Sequence, residues 1–106
     1  MRLHDFFEWS QHKADSNLRK HGVAFDQAAE ILRDPDGSRF HLEEYDDSHG
    51  GVEDRFVTTA SHPKDRSIVL VIAWTERDCE EGRATRIISA RRATTAEWRR
   101  YESEIS

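Results

Sequence analysis

The side chains best suited to chemistry fall in two blocks. The first is Lys13, Asn17, Lys20 and His21, within the segment 10–22. At about 100° per residue of helix, Asn17 lies about 40° from Lys13, Lys20 about 20° to its other side and His21 about 80° away. Two cations, an amide and a titratable imidazole on one stripe suit a phosphate group, with the imidazole able to move a proton near neutral pH. The second block is Arg86-Ile87-Ile88-Ser89-Ala90-Arg91-Arg92, to which Arg55 and Arg77 belong by type. Arginine binds phosphate through a planar fork of donors and a fixed charge. Each residue also has a plain structural use. Lys13, Asn17 and Lys20 suit the wet face of an amphipathic helix. His21 suits the last carbonyls of that helix. The arginines have carboxylates to pair with, Glu53, Asp54 and Glu97 among them.

Fixed elements must position these groups. Ser10 as N-cap and Gly22 as stop predict a helix over 11–21. Phe25, Ala28, Ala29 and Leu32 follow the i, i+3, i+4, i+7 pattern of a second helix, which Asp34-Pro35-Asp36-Gly37 ends. Strands are expected over 38–45, 54–61, 67–75 and 84–91, separated by turn signals at 46–51, 62–65 and 78–82. Strict alternation puts Arg86 with Ile88 and Ala90, and Arg91 with Ile87 and Ser89. Thr94 and Glu97 form a capping box for a last helix whose one face carries Trp98, Tyr101 and Ile105. The order ααββββα, with short links between strands, predicts an α+β fold on an antiparallel sheet.

With 106 residues, of which 35% are charged, the chain is read as one domain, 1–106, with a small core and a crowded ionic surface. The net charge of −5 is unevenly spread. Residues 34–82 carry five basic and thirteen acidic side chains, residues 83–106 six arginines and three glutamates. A locally positive cleft is therefore compatible with a negative total. The single Cys79 stands among acidic neighbours, which disfavour a thiolate, so it is not read as a nucleophile. His41, His49 and His62 lie near acidic residues, but no zinc-ligand spacing occurs, so neither metal nor cofactor is expected. The longest apolar run, Ile68–Trp74, has seven residues, too short to span a bilayer. No apolar signal region opens the chain, and a cytoplasmic location is expected.

Phe7-Glu8-Trp9, Lys13, Asn17, Lys20-His21-Gly22-Val23, Phe25 and Asp34-Pro35 together resemble the N-terminal signature of the BrnT family of bacterial toxins. Arg55-Phe56, Thr75-Glu76-Arg77, Arg86-Ile87-Ile88-Ser89-Ala90-Arg91, Glu97 and Tyr101-Glu102 extend the resemblance over about residues 6–102. The hairpin at 76–83 is longer and more acidic than the family pattern, and Trp74 stands where that pattern often has Tyr. The resemblance implies a RelE-like fold with helices on one side of an antiparallel sheet. It implies an mRNA-cleaving ribonuclease of a type II toxin–antitoxin system. It also implies neutralisation by a BrnA-type antitoxin, in a heterotetramer whose contact with operon DNA runs through the antitoxin.

The expected reaction is metal-independent endonucleolytic cleavage by the substrate's own 2′-hydroxyl, on free or ribosome-bound mRNA. Arg55, Arg86 and Arg91 are expected to clamp the phosphate, with His21, or less directly Tyr101, moving a proton. Lys13, Asn17, Lys20, Arg77 and Arg92 are expected to hold flanking RNA backbone. The rival reading is a RelE-like binding module without useful nuclease rate, whose role is antitoxin complex formation and operon autoregulation.

Overall fold

A computed structural model of the chain describes residues 6–46, 54–80 and 82–105. The elements are β1 (Phe7–Glu8), α1 (Gln11–His21), α2 (Phe25–Leu32), α3 (Gly37–Phe40), β2 (His41–Asp46), β3 (Arg55–His62), β4 (Asp65–Cys79), β5 (Gly82–Arg92) and α4 (Thr95–Ile105). Most of the turn expected at 46–51, with His49, lies outside the described residues, as do Glu53 and Glu81. No helix among the described residues is long and apolar enough to cross a membrane.

The α+β class holds, but among the described residues the sheet has five strands, in the order β1-β5-β4-β3-β2. Four run antiparallel, while β1 joins β5 in parallel, so the sheet is mixed. Two residues carry no periodicity, which is why β1 escapes a pattern reading. Its attachment is the Thr85 N–H donating to Phe6 O at 2.7 Å.

The helix ends form as their residues dictate. Ser10 Oγ accepts the Lys13 N–H at 3.4 Å, and Gly22, at φ 67°, closes α1 by donating to Leu18 O at 2.9 Å. The strand expected from residue 38 starts only at His41, because one helical turn, α3, comes first. That turn is tight. Asp34 Oδ1 accepts the Asp36 N–H at 2.9 Å, and a Cβ at Gly37 would stand 2.9 Å from the His41 ring. Thr94 and Glu97 make the expected reciprocal cap of α4, at 2.8 and 3.2 Å.

Register sorts the sheet into two faces. Ala60–Leu70, Thr58–Ile72 and Phe56–Trp74 pair across β3 and β4, and Ala90 and Ile87 continue these rows on β5. This face meets α2 and carries the core, including Phe25, Ile31, Leu70, Ile72, Trp74 and Ile87, all almost fully buried. Each such side chain contributes about 1.5–3 kcal/mol through burial. Trp74 stacks on Phe56 at 4.6 Å and donates its indole N–H to Thr58 Oγ1 at 2.9 Å.

A bulge interrupts β5. Ala73 pairs with Ser89 but Trp74 pairs with Ile87, so Ile88 is extra. The added residue shifts the alternation. Arg86 and Arg91, which strict alternation sets on opposite faces, therefore share the face away from α2.

Helices are not confined to one side. On the face away from α2, α4 reaches Glu44 through Arg100, Ser61 through Tyr101 and Arg91 through Glu97. Thr59, Ser61 and Val69 are buried at that end, whereas Val57, Val71, Ala73 and Ser89 stay half-buried. Among the described residues, the middle of this face is thus left partly open, a trough over Val57, Val71, Ala73 and Ser89.

Candidate active site

The trough carries a row that crosses all five strands. Glu8 pairs with Arg86, Arg86 with Thr75, Thr75 with Arg55, and Arg55 with Asp46. Strand spacing places the Arg86 and Arg55 Cα atoms about 10 Å apart. Thr75 lies buried between them, its hydroxyl donating to Asp54 O. Arg77 is the diagonal neighbour of Arg86, opposite Ala84. Both guanidinium groups reach one carboxylate oxygen: Arg86 Nη1 lies 3.5 Å, and Arg77 Nε 3.6 Å, from Glu8 Oε1. Two fixed cations thus share one anion, through contacts at or beyond the limit of a good hydrogen bond. Three arginines, Arg55, Arg77 and Arg86, gather at one end of the trough.

Arg91 shares the face but not the site. It lies about 13 Å further along β5, since its partner Val71 is four residues from Thr75 on β4. Its Nη1 and Nη2 grip Glu97 Oε1 and Oε2 at 2.7 and 2.8 Å. Hydrogen bonding to Arg91 is the largest influence on the Glu97 carboxyl. With the Thr94 contacts it outweighs burial and brings the pKa down to about 2 from an ordinary 4.5. The same bond raises the already high pKa of Arg91. The expected three-part clamp of Arg55, Arg86 and Arg91 is therefore split: Arg91 ties the end of β5 to the start of α4, and Arg77 stands nearer to Arg86.

Asn17 is also placed differently from expectation. It is buried, and its amide is fully used. Nδ2 donates to Val23 O at 2.9 Å and to Ala90 O at 2.7 Å, while Oδ1 accepts the Ala90 N–H at 3.1 Å. β1 covers β5 only at Thr85 and Arg86, so the outer edge of β5 is bare at Ala90. The Asn17 amide pairs with that edge as another strand would. Its amide donors are thus both engaged within the fold. Lys13 and Lys20, on the same stripe, are exposed, as is His21 at the end of α1. α1 packs against α2 as well as β5, away from the trough. Among the described residues, no hydrogen bond or ion pair joins His21 to Arg77 or Arg86. Arg92 is exposed at the end of β5.

Tyr101 belongs to the core. Its hydroxyl donates to Phe40 O at 2.7 Å and accepts the Ser61 N–H at 3.2 Å. Nearby, Arg66 pairs with buried Asp34 at 2.8 Å and lies 3.7 Å over the Phe40 ring. Burial pushes the Asp34 carboxyl up, but the Asp36 N–H and Arg66 pull it further down, so it sits below its ordinary value. His41 Nε2 bonds Ile31 O at 2.8 Å, and His62 Nε2 meets Glu30 at 3.0 Å. Among the described residues, no group of three or more His, Cys, Asp or Glu side chains is arranged to hold a metal ion.

Glu8 is the site residue that spacing did not single out. Its signal lay in position: one residue before Trp9 and two before the Ser10 cap, on a strand too short to show a period.

A family model described as the ribonuclease toxin, BrnT, of type II toxin–antitoxin systems matches residues 9–97. Comparison with curated proteins gave no match.

Proposed function

From the premise that the chain belongs to the BrnT family of ribonuclease toxins of type II toxin–antitoxin systems, we propose that it is a metal-independent endoribonuclease acting in the cytoplasm. The observation that carries this reading is the row Arg86–Thr75–Arg55, with Arg77 beside it, on the sheet face that the described residues leave partly open. RNA already contains its nucleophile. When the 2′-oxygen attacks the adjacent phosphorus, negative charge grows on the phosphoryl oxygens, and fixed guanidinium groups stabilise it without metal. The products are a 2′,3′-cyclic phosphate and a free 5′-hydroxyl. Arg55, Arg77 and Arg86 form the clamp. The trough over Val57, Ala73 and Ser89 accepts a single strand. Lys13 and Lys20, beside the β5 edge, and Arg92, at its end, hold backbone leaving the trough. His21 stays off the reacting atoms because α1 lies away from the row.

Membership of a type II toxin–antitoxin family implies an antitoxin partner. We assign this role to a BrnA-type protein that forms a heterotetramer with the toxin and supplies the contact with operon DNA. Binding to the native state alone raises the melting temperature of the toxin by mass action.

The test is cleavage of single-stranded RNA, free or ribosome-bound, in excess EDTA. Cyclic phosphate ends, and loss of cutting when the 2′-hydroxyl at the cleavage site is replaced by hydrogen, are expected. Products with 3′-hydroxyl ends, or activity that EDTA abolishes and one divalent ion restores, overturn the mechanism.

A further inference from the structure

Cleavage by the 2′-hydroxyl requires a group to take its proton, and the clamp cannot supply one, because guanidinium groups stay protonated at any working pH. This inference rests on the ribonuclease reading above. Among the described residues, four carboxylates stand on the trough face, Glu8, Glu44, Asp46 and Glu97, and Glu44 is taken through both oxygens by Arg100. Glu97 is spent: both its oxygens hold Arg91, and Oε1 also accepts the Thr94 N–H. Asp46 lies at the opposite edge, beyond Arg55. Glu8 differs from the other three. Its Oε1 is held between Arg86 and Arg77, at 3.5 and 3.6 Å, while among the described residues Oε2 has no hydrogen-bond or ion-pair partner.

The backbone under Glu8 is fixed from three sides. Phe6 O accepts the Thr85 N–H, Phe7 packs on the core with Arg33 over its ring at 4.9 Å, and the Ser10 cap begins α1 two residues on. The side chain itself is 38% exposed, so substrate can reach it.

We propose that Glu8 is the general base of this site, with Oε1 anchored by Arg77 and Arg86 and Oε2 taking the proton of the 2′-hydroxyl. The 2′-oxygen forms its bond to phosphorus, the bond from phosphorus to the 5′-oxygen breaks, and the departing 5′-oxygen takes a proton from water. Glu8 then returns its proton to solvent. The carboxylate lies beside the two arginines that bind the phosphate, so base and clamp act on the same nucleotide.

The test is single-turnover cleavage of a single-stranded RNA, free or ribosome-bound, by wild type, Glu8→Gln, Glu8→Ala and Arg86→Ala. Thermal melts confirm folding. The expected loss for both Glu8 variants is about 10²–10⁴-fold. RNA affinity should hold or tighten, because a negative charge has left the trough. The fall in rate on acidification that a carboxylate base imposes should vanish in Glu8→Gln; the charged groups facing Glu8 are Arg86 from β5 and Arg77 from β4. Added formate should restore part of the rate of Glu8→Ala and none of that of Arg86→Ala. Formate reports the missing carboxylate directly, which a structural role would not reproduce. The inference is overturned if the Glu8 variants cleave as fast as wild type, or if they are slow with an unchanged pH profile and no response to formate. An inactive Arg86→Ala beside fully active Glu8 variants sinks this inference and leaves the ribonuclease site standing. Full activity in all variants sinks the site as well.

Discussion

Arg86 and Arg91 sit on one strand and one face, yet their surroundings give them opposite work. Arg91 meets Glu97 fork to fork at 2.7 and 2.8 Å, and the same carboxylate caps α4 through Thr94. Every oxygen of that anion is used, and no positive charge is left over. Arg86 makes one long contact, to a carboxylate that it shares with Arg77. Among the described residues, two cations against one anion leave an excess of positive charge beside the trough. One end of the face is closed by charge pairing and by α4, and the other keeps the charge that the proposed phosphate clamp requires. An arginine on a strand is therefore not evidence of binding by itself; what matters is whether the facing anion is already fully engaged.

The largest effect that sharpens this contrast should come from changing the shape of the clamp and not its charge. Arg86→Lys should lower the cleavage rate by about 10²–10³, close to the loss for complete removal, because a point charge cannot replace two directed donors. Single-turnover kinetics on folded protein measure it. Full activity in the lysine variant would mean that net charge alone draws RNA to this end.

The closed end should answer in stability. Asn17→Ala strips partners from Val23 O and from both backbone groups of Ala90, and should cost about 2–4 kcal/mol in denaturant unfolding, since unsatisfied buried groups are expensive. An unchanged midpoint would place Asn17 back among the ligand contacts.

A smaller effect belongs to the Arg91–Glu97 pair, and its sign follows from the depressed carboxyl. Glu97 has a pKa of about 2 when folded, against an ordinary 4.5. Its contribution is fully present above about pH 4.5 and is lost as pH falls from there toward 2. The side chains are 41% and 34% exposed, so solvent screens the pair and about 1 kcal/mol is expected. Melting temperatures over that window should fall less steeply for Glu97→Gln than for wild type. Parallel curves would remove the pair from the stability account.

The smallest expected change is none: EDTA should leave the cleavage rate where it was. A metal requirement would end the comparison, because an ion and not the excess arginine charge would then neutralise the phosphate.

The parts of this molecule legible in its sequence are those written in local chemistry. Ser10, Gly22, Thr94 and Glu97 marked helix ends because caps are made by neighbours. The run Ile68–Trp74 marked the central strand because an unbroken, largely β-branched apolar run suits the middle of a sheet, although Val71 and Ala73 are only half-buried. The misplaced features depend on distant partners. β1 exists because β5 offers it an edge, and the face shared by Arg86 and Arg91 depends on a bulge at Ile88 that appears only when β4 is paired alongside. Asn17 looked like a ligand for the same reason: its partner Ala90 is 73 residues away. Residue type found the arginines of the proposed clamp, but tertiary pairing decided which of them tie elements of the fold together.

The most direct test of this account is single-turnover RNA cleavage by Arg86→Ala and Arg91→Ala, side by side, each at a temperature where melting curves show it folded. Arg86→Ala should keep its stability and lose about 10²–10³ in rate, while Arg91→Ala should lose stability and, once folded, cleave at the wild-type rate. The reverse pattern, with a folded Arg91→Ala inactive and Arg86→Ala fully active, would contradict it and move the site to the α4 end of the sheet.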